Sequence, residues 1–231
     1  MIKAILWDVD GTLLDFLAQE EAAIRNCFKQ MNLGECDDEM LKDYSYINST
    51  YWPRMERGEL TKKEVLVNRF VEFFGKYGID TSLAEKFNSL YQTKLGETIR
   101  FMPNGLEVVR NLKGKLIQCA ATNGTKMAAR RKLSLSTLDQ YFEYIFISEE
   151  VGYEKPRIEY YDVILDTLKG IDKSEILMIG DSLTSDMQGG NNAGVKTCFY
   201  NPSGKKYETD LRIDYEINNL NEVLDVLIVE L

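Results

Sequence analysis

The chain of 231 residues contains no histidine. This absence excludes Ser–His and Cys–His nucleophile systems, and it excludes every metal site that needs an imidazole ligand. Any acid–base or metal chemistry must therefore use carboxylates, which are ligands that hard divalent cations prefer.

Cysteines are few, and none of them are spaced as in a metal site. The four are Cys27, Cys36, Cys119 and Cys198, with no C-x-x-C pair, and each lies in or beside an apolar segment. Neither a disulfide framework nor a zinc site is predicted. We expect buried, reduced thiols, as in a cytoplasmic protein.

Long apolar runs and an excess of positive charge are also absent. No run reaches the roughly 18 apolar residues of a membrane helix, and the apolar run after Lys3 is too short for a signal peptide. The formal net charge of -9 makes nucleic acid polymers and anionic membranes unsuitable partners. These features predict a cytoplasmic globular protein.

The hydrophobic pattern changes twice along the chain. Residues 2–7 predict a buried strand, and residues 16–96 show only helical periodicity, with helices expected near 37–46, 61–77 and 81–95 after a first long helix. The capping-box pattern Thr61–Glu64 marks one helix start. From residue 103 onward, helices alternate with strands at 115–121, 144–148, 176–179, 195–200 and 213–217. One of these helices is expected at about 185–193, and Asn219 with Glu222 is expected to cap a final helix.

This alternation predicts an α/β fold, with a Rossmann-like parallel sheet that has helices on both faces. The helical stretch interrupts that core directly after its first strand. We therefore expect a core domain of residues 1–15 and 97–231, and an inserted α-helical cap domain of residues 16–96. Right-handed crossovers bring the carboxyl ends of the strands to one edge, where ligands bind and which the insert can cover.

Polar clusters follow four of the predicted segments. They are Asp8-Val9-Asp10-Gly11-Thr12, Thr122-Asn123-Gly124, Lys155-Pro156, and Gly180-Asp181-Ser182 with Asp186. Each has a structural alternative: an acidic turn, a Thr-Asn-Gly turn, a solvated lysine and a helix N-cap, respectively. The paired carboxylates can instead supply a nucleophile, Asp8, and a proton donor and acceptor, Asp10.

In order and spacing, the motifs D-x-D-G-T, T-N, K-P and G-D-x-x-x-x-D resemble those of the haloacid dehalogenase-like hydrolase superfamily over the whole chain. The resemblance implies that Asp8 is the nucleophile and Asp10 the general acid and base. It assigns phosphate binding to Thr122, Asn123 and Lys155. It also implies a Mg²⁺ cofactor held by Asp8, the backbone carbonyl of Asp10, and Asp181, with Asp186 as a further ligand or an orienting group.

The same resemblance narrows the expected chemistry. Dehalogenases of the superfamily lack the acid–base aspartate, its ATPase pumps need membrane helices, and its sugar-phosphate mutases use a histidine. Residues 147–156 and 180–194 are similar to the noncanonical pyrimidine 5′-nucleotidases, which implies nucleoside monophosphates such as dUMP, dTMP and UMP as substrates. Hydrolysis of phosphoglycolate or sugar phosphates is the alternative, and a non-catalytic phosphometabolite-binding module is another.

Residues of the insert are expected to choose the substrate. Asn48, Tyr51, Trp52, Arg54 and Arg57 form a polar and aromatic cluster in a weakly periodic region. Tyr51 or Trp52 can stack on a base, and Arg54 can bond a carbonyl or a phosphate. The alternative for each is packing within the insert or a solvated face. Phe16 and Phe101, at the two crossings between core and insert, predict hinge packing.

Overall fold

The computed structural model describes residues 1–229, and its centre is one six-stranded sheet. The strands are β1 Ala4–Trp7, β2 Ile117–Thr122, β3 Tyr144–Ile147, β4 Ile176–Gly180, β5 Lys196–Tyr200 and β6 Tyr215–Ile217. They lie in the order β3-β2-β1-β4-β5-β6, and every neighbouring pair is parallel. The predicted parallel sheet is confirmed.

Helices connect the strands and build the insert. They are α1 Phe16–Met31, α2 Asp38–Glu56, α3 Lys62–Lys76, α4 Ala84–Leu95, α5 Gly105–Leu112, α6 Lys126–Leu135, α7 Ser148–Val151, α8 Ile158–Thr167, α9 Gln188–Ala193 and α10 Val223–Val229. Helices α1 to α4 follow β1 without an intervening strand, and we call them the helical insert.

Both faces of the sheet are covered by helices, as the sequence pattern predicts. Side chains of β1 alternate between two hydrophobic clusters, because successive residues of a strand point to opposite faces. Ile5 and Trp7 pack in a cluster with residues of α5, α6 and α10. Ala4 and Leu6 pack in a second cluster with residues of α8 and α9. The α/β fold with an inserted helical layer is therefore confirmed.

Strand β1 lies where the strand order reverses, and this places the candidate site. Trp7 is level with Ala120 of β2 and with Ile179 of β4. The backbone N–H of Asp8 donates to the carbonyl oxygen of Ile179 at 2.9 Å. Residues that follow β1, β2 and β4 thus meet at one edge, which is where open α/β sheets bind ligands.

The helical insert has an aromatic core of its own. Phe70 on α3 is fully buried, and its ring centroid lies 5.1 Å from Tyr44, 4.9 Å from Phe87 and 5.3 Å from Tyr91. These rings come from α2, α3 and α4, so their burial joins three helices. Offset and edge-to-face pairs of this kind add to the stabilisation from burial.

Helix α2 is longer than the sequence predicts. It continues ten residues beyond the expected end at residue 46, to Glu56, and passes through Pro53. The buried stripe of this helix consists of Met40, Tyr44, Ile47, Asn48, Tyr51 and Met55. Polar and amphipathic members interrupt the stripe, and this conceals the helical period in the sequence.

Two other boundaries differ from the pattern-based expectation. The helix expected at 185–193 begins as a single π-helical turn, Leu183–Met187, and continues as α9. The final helix is preceded by a 3₁₀ turn, where the Asn219 side chain accepts from the backbone N–H of Asn221 at 2.9 Å. By contrast, the capping box of Thr61 and Glu64 at the start of α3 is confirmed.

The cysteine prediction is confirmed, since Cys27, Cys36, Cys119 and Cys198 are buried and free. Burial raises the pKa of the Cys119 and Cys198 thiols to about 12, so these groups stay protonated near neutral pH. Within residues 1–229, no helix combines the length and the apolar character that crossing a membrane requires.

Replacing Phe70 by alanine tests the aromatic core of the insert. We expect Phe70→Ala to lower the free energy of unfolding by about 3–5 kcal/mol, because it leaves a cavity among buried rings. Urea denaturation measures this value. Val71→Ala, at the exposed neighbouring position, is the control and should change stability by less than about 0.5 kcal/mol. Equal effects of the two substitutions would contradict the packing described.

Candidate active site

Asp8 and Lys155 form the centre of the candidate site. Asp8 directly follows β1 and is 7% exposed, while Lys155 is 1% exposed. The Lys155 ammonium donates to Asp8 Oδ1, Asp186 Oδ1 and the carbonyl oxygen of Ala121, each at 2.7 Å. Its three donors are therefore all used, and the lysine joins the segments that follow β1 and β4 to strand β2.

The charges around Lys155 keep it protonated. Burial opposes the charged form, but the carboxylates of Asp186 and Asp8 outweigh burial and hold the pKa of Lys155 well above its usual value. Burial raises the pKa of Asp8, and Lys155 counteracts it. One ammonium among several carboxylates leaves this site with surplus negative charge.

Asp181 and Asp186 follow β4 and face Asp8. Asp181 is exposed to the cavity, whereas Asp186 is buried. The Thr12 hydroxyl donates to Asp181 Oδ1 at 3.0 Å, and the backbone N–H of Ser182 donates to Asp186 Oδ2 at 3.1 Å. These bonds orient the two carboxylates from both sides of the β1–β4 junction.

Gly11 is required because the turn of the D-x-D-G-T motif passes close to Asp181. Its φ of +95° is in the left-handed region, which disfavours residues with a Cβ atom. A Cβ atom on Gly11 would also lie 2.5 Å from Asp181 Oδ2. The glycine of the D-x-D-G-T motif therefore allows the turn after β1 to contact Asp181.

These carboxylates have the chemistry of a Mg²⁺ site. One oxygen from each of Asp8, Asp181 and Asp186 lies within 4.8 Å of the other two. Asp8 Oδ2 is buried and has no hydrogen-bond partner in the described part of the chain, which is costly unless a ligand pairs with it. An all-oxygen donor set with unbalanced negative charge fits a hard divalent cation.

Asp10 points towards a residue that the sequence analysis missed. Lys132 on α6 is fully buried, and its ammonium donates to Asp10 Oδ1 at 2.6 Å. The same ammonium lies 5.3 Å from the ring centroid of Phe16, at the first crossing into the insert. Lys132 shares the buried face of α6 with Ala128 and Ala129. A lysine within this apolar stripe is the feature of the sequence that could have identified it as a site residue.

Thr122, the last residue of β2, and Asn123, which follows it, line the site. The Thr122 hydroxyl accepts from the backbone N–H of Gly124 at 2.9 Å. The Asn123 side chain accepts from the backbone N–H of Lys155 and donates to its carbonyl oxygen, both at 2.9 Å. The Asn123 amide thus fixes the segment that carries Lys155.

A cavity of about 890 Å³ lies between the sheet edge and the helical insert. The catalytic candidates that line its core side are Asp8, Asp10, Thr122, Asn123, Lys155, Asp181 and Asp186. Its insert side includes Trp52, Glu56, Leu66 and Arg69. The volume exceeds that of a phosphate group and matches that of sites for small organic ligands.

The three substrate-contact candidates of the insert occupy different places. Trp52 lines the cavity, whereas Tyr51 and Arg54 are outside its described lining. The Tyr51 hydroxyl donates to Glu72 Oε2 at 2.8 Å, and the Arg54 guanidinium lies over the Tyr51 ring at 5.2 Å. The geometry therefore favours Trp52 over its two neighbours as a substrate contact.

A buried polar network fixes the Trp52 indole. Asn48 Oδ1 accepts from Trp52 Nε1 at 3.1 Å and from Arg69 Nη1 at 2.6 Å. Asn48 Nδ2 donates to Glu20 Oε2 at 2.7 Å. Glu20 and Arg69 were not among the expected site residues, although Arg69 interrupts the apolar stripe of α3 between Val65 and Phe73.

The family of the protein follows from this fold and from comparison with known proteins. A family model described as haloacid dehalogenase-like hydrolase matches residues 5–200. The chain belongs to the haloacid dehalogenase-like hydrolase family, and it is an enzyme. The resemblance recognised in the four motifs is confirmed.

Individual relatives match over nearly the whole chain. The HAD-hydrolase YfnB of Bacillus subtilis is 33% identical over 99% of this chain and 96% of its own. The pyrimidine 5′-nucleotidase PynA of Streptococcus pneumoniae is 35% identical, with 97% and 94% covered. The pyrimidine 5′-nucleotidase YjjG of Escherichia coli is 25% identical over 96% of each chain. A crystal structure of YfnB bound to magnesium aligns with a TM-score of 0.91 at 32% identity, over 98% of each chain.

Removing the central ammonium tests the electrostatics of the site. We expect Lys155→Met to destabilise the protein by about 3–5 kcal/mol, because Asp8 and Asp186 become buried carboxylates without their partner. Urea unfolding measures the loss. Lys126→Met, at a lysine whose side chain is 65% exposed, should cost less than about 1 kcal/mol. A stability equal to that of the unmodified protein would contradict the central role of Lys155.

Proposed function

We propose that this protein is a Mg²⁺-dependent phosphatase that acts through an aspartyl-phosphate at Asp8, with pyrimidine nucleoside 5′-monophosphates as substrates. The observation that carries the proposal is the free, buried Oδ2 of Asp8 beside the Lys155 ammonium, at the base of a cavity. A carboxylate held in this way can attack phosphorus while the lysine balances the phosphate charge.

The acidic residues supply the metal site in this proposal. Asp8, the backbone carbonyl of Asp10, and Asp181 would hold Mg²⁺, and Asp186 would orient the site through its bond to Lys155. When bound, Mg²⁺ screens the repulsion between the phosphate and the carboxylates and orients the substrate. The surplus negative charge and the unpartnered Asp8 oxygen support this assignment.

The reaction proceeds in two steps on residues of the chain. Asp8 attacks phosphorus, and Asp10 in its protonated form gives its proton to the departing oxygen of the leaving group. Asp10 then takes a proton from the water that attacks the aspartyl-phosphate, which releases phosphate and restores Asp8. Thr122, Asn123 and Lys155 surround the phosphate, with Asn123 also securing the Lys155 backbone.

The helical insert acts as a cap in this proposal, with the core at residues 1–15 and 97–231 and the cap at residues 16–96. Trp52 offers a flat apolar surface to a base, since its indole nitrogen is already bonded to Asn48. PynA and YjjG are pyrimidine 5′-nucleotidases related over nearly the full length, and this supports a pyrimidine nucleoside as the leaving group.

Phosphate release from a substrate panel tests the activity. We expect turnover of UMP, dUMP and dTMP to require Mg²⁺ and to stop with chelator. Asp8→Asn should lower kcat by at least about 10⁴-fold, because the amide cannot replace the nucleophile, while calorimetry should still detect nucleotide binding. Asp15→Asn, which changes another carboxylate of the cavity lining, is the matched control.

The panel also separates the alternatives. Turnover confined to phosphoglycolate or sugar phosphates would retain the mechanism and contradict the nucleotide assignment. Binding without turnover in the unmodified protein would indicate a phosphometabolite-binding module.

The role of Trp52 is tested by removing its ring. We expect Trp52→Ala to raise the KM for UMP about tenfold, since stacking on a base contributes roughly 1–3 kcal/mol. Ribose 5-phosphate, which has no base, should show a smaller change in steady-state kinetics. Tyr51→Phe, on the adjacent residue outside the cavity lining, should behave like the unmodified protein. Equal changes for both substrates would contradict base stacking.

A further inference from the structure

Glu56 is an acidic residue in the cavity that the proposed reaction does not use. It is the last residue of α2, and it lines the cavity together with Trp52 and Pro53 of the same helix. Helix α2 contacts the turn Leu183–Met187, which carries Asp186. Glu56 therefore projects from the insert over the core side of the site.

One oxygen of the Glu56 carboxylate lacks a partner, unlike the carboxylate of Glu59. Its Oε2 is buried and makes no hydrogen bond within residues 1–229. In contrast, Glu59 at the following turn accepts from Arg57 Nε at 2.5 Å and lies 3.7 Å from Arg54 Nε. A buried carboxylate oxygen without a donor is unfavourable, and a bound molecule can provide that donor.

The charges near Glu56 leave its carboxylate largely uncompensated. Burial raises the pKa of Glu56, the Thr184 hydroxyl opposes this, and Asp186 adds to it. The positive charges of Lys155 and Arg57 also oppose the rise, but the Lys155 ammonium already bonds both Asp8 and Asp186, and Arg57 pairs with Glu59. The acidic groups around Glu56 favour a leaving group that is neutral or that donates a hydrogen bond to its carboxylate.

The cavity is lined by four cations besides Lys155, namely Lys132, Arg69, Lys205 and Lys206. Lys132 pairs with Asp10, whereas Arg69 bonds Asn48 through Nη1 and has no hydrogen-bond partner at its buried Nη2 within residues 1–229. Lys205 and Lys206 line the cavity from the segment after β5, and both are exposed to solvent. The Glu56 carboxylate faces a cavity that must also accept an anionic phosphate. It therefore affects which leaving groups can bind beside that phosphate.

We propose that Glu56 is a specificity residue that reads the leaving group of the substrate. Its carboxylate accepts a hydrogen bond from a hydroxyl or N–H group of a neutral leaving group, such as a nucleoside or a sugar. The same carboxylate repels a leaving group that carries its own negative charge, such as the carboxylate of phosphoglycolate or the second phosphate of pyrophosphate. This inference rests on the proposed phosphomonoester hydrolysis and goes beyond it by assigning selection to one side chain.

Glu56→Gln tests the inference, because the amide keeps the shape of the side chain and removes its charge. We expect kcat/KM for UMP and for ribose 5-phosphate to fall about tenfold, since a charged acceptor is replaced by a neutral one. We expect kcat/KM for phosphoglycolate and pyrophosphate to rise about tenfold, because a like-charge repulsion is removed. Glu39→Gln, at an exposed position of the same helix, should change none of these values by more than about twofold.

The opposite directions of the two changes separate selection from structural damage. A parallel fall for all four compounds, or no change for any, would overturn the inference. If Glu56→Gln unfolds, Glu56→Asp replaces it, because this substitution shortens the side chain and keeps its charge. We expect Glu56→Asp to weaken UMP turnover and still to reject phosphoglycolate. Loss of that rejection would contradict the role proposed for Glu56.

Affinity measurements keep this test distinct from the test of the proposed function. Calorimetry with UMP and phosphoglycolate on Asp8→Asn, with and without Glu56→Gln, requires no turnover and should show the same opposite shifts. Hydrolysis of ribose 5-phosphate without hydrolysis of UMP would contradict the nucleotide assignment, and the Glu56 inference would then be judged on ribose 5-phosphate against phosphoglycolate and pyrophosphate. Absence of binding of every compound would overturn both.

Discussion

The buried ammonium of Lys155 is the interaction on which the site depends. It bonds Asp8, Asp186 and the carbonyl oxygen of Ala121, and so it joins the ends of β1, β4 and β2 at the point where the strand order reverses. Burying this charge is favourable only because all its donors are satisfied and two carboxylates face it. Those carboxylates in turn exceed the charge of the lysine, and this excess is what suits the site to a divalent cation and to phosphate chemistry.

The helical insert completes the site from the opposite side. Its aromatic core around Phe70 makes it a packed layer, and the network through Asn48 sets the orientation of Trp52. The core therefore provides the elements for phosphoryl chemistry, while the insert provides a flat ring and a carboxylate, Glu56, towards the remainder of the ligand. In the proposed function this division separates the reaction from the choice of substrate.

The sequence predicts the core more fully than the insert. Asp8 and Asp181 directly follow short apolar strands, and parallel topology then brings them together without knowledge of side-chain packing. Lys155 lies further along, in the loop after β3 and α7, and was placed by the order of the motifs. No comparable rule of topology fixes which side chains of the insert face the cavity. Trp52, Tyr51 and Arg54 are adjacent in sequence, but helical geometry turns only Trp52 to the cavity, and the length of α2 was hidden by Asn48 and Tyr51 in its buried stripe. Lys132 and Arg69 were missed because a cation in an apolar stripe shows its partner only in three dimensions.

The most direct measurement is to identify the phosphorylated residue. The protein with Mg²⁺ is mixed with UMP labelled with ³²P in its phosphate and is quenched in acid during turnover. One portion is digested in acid and its peptides are counted for ³²P; a second portion is reduced with borohydride, which releases the phosphate and converts a phosphorylated aspartate to homoserine, and is analysed by mass spectrometry. We expect ³²P on the peptide that contains Asp8 in the first portion, homoserine at position 8 in the second, and neither in Asp8→Asn. Turnover of UMP without a labelled peptide, or label at another residue, would contradict the assignment of Asp8 as the nucleophile.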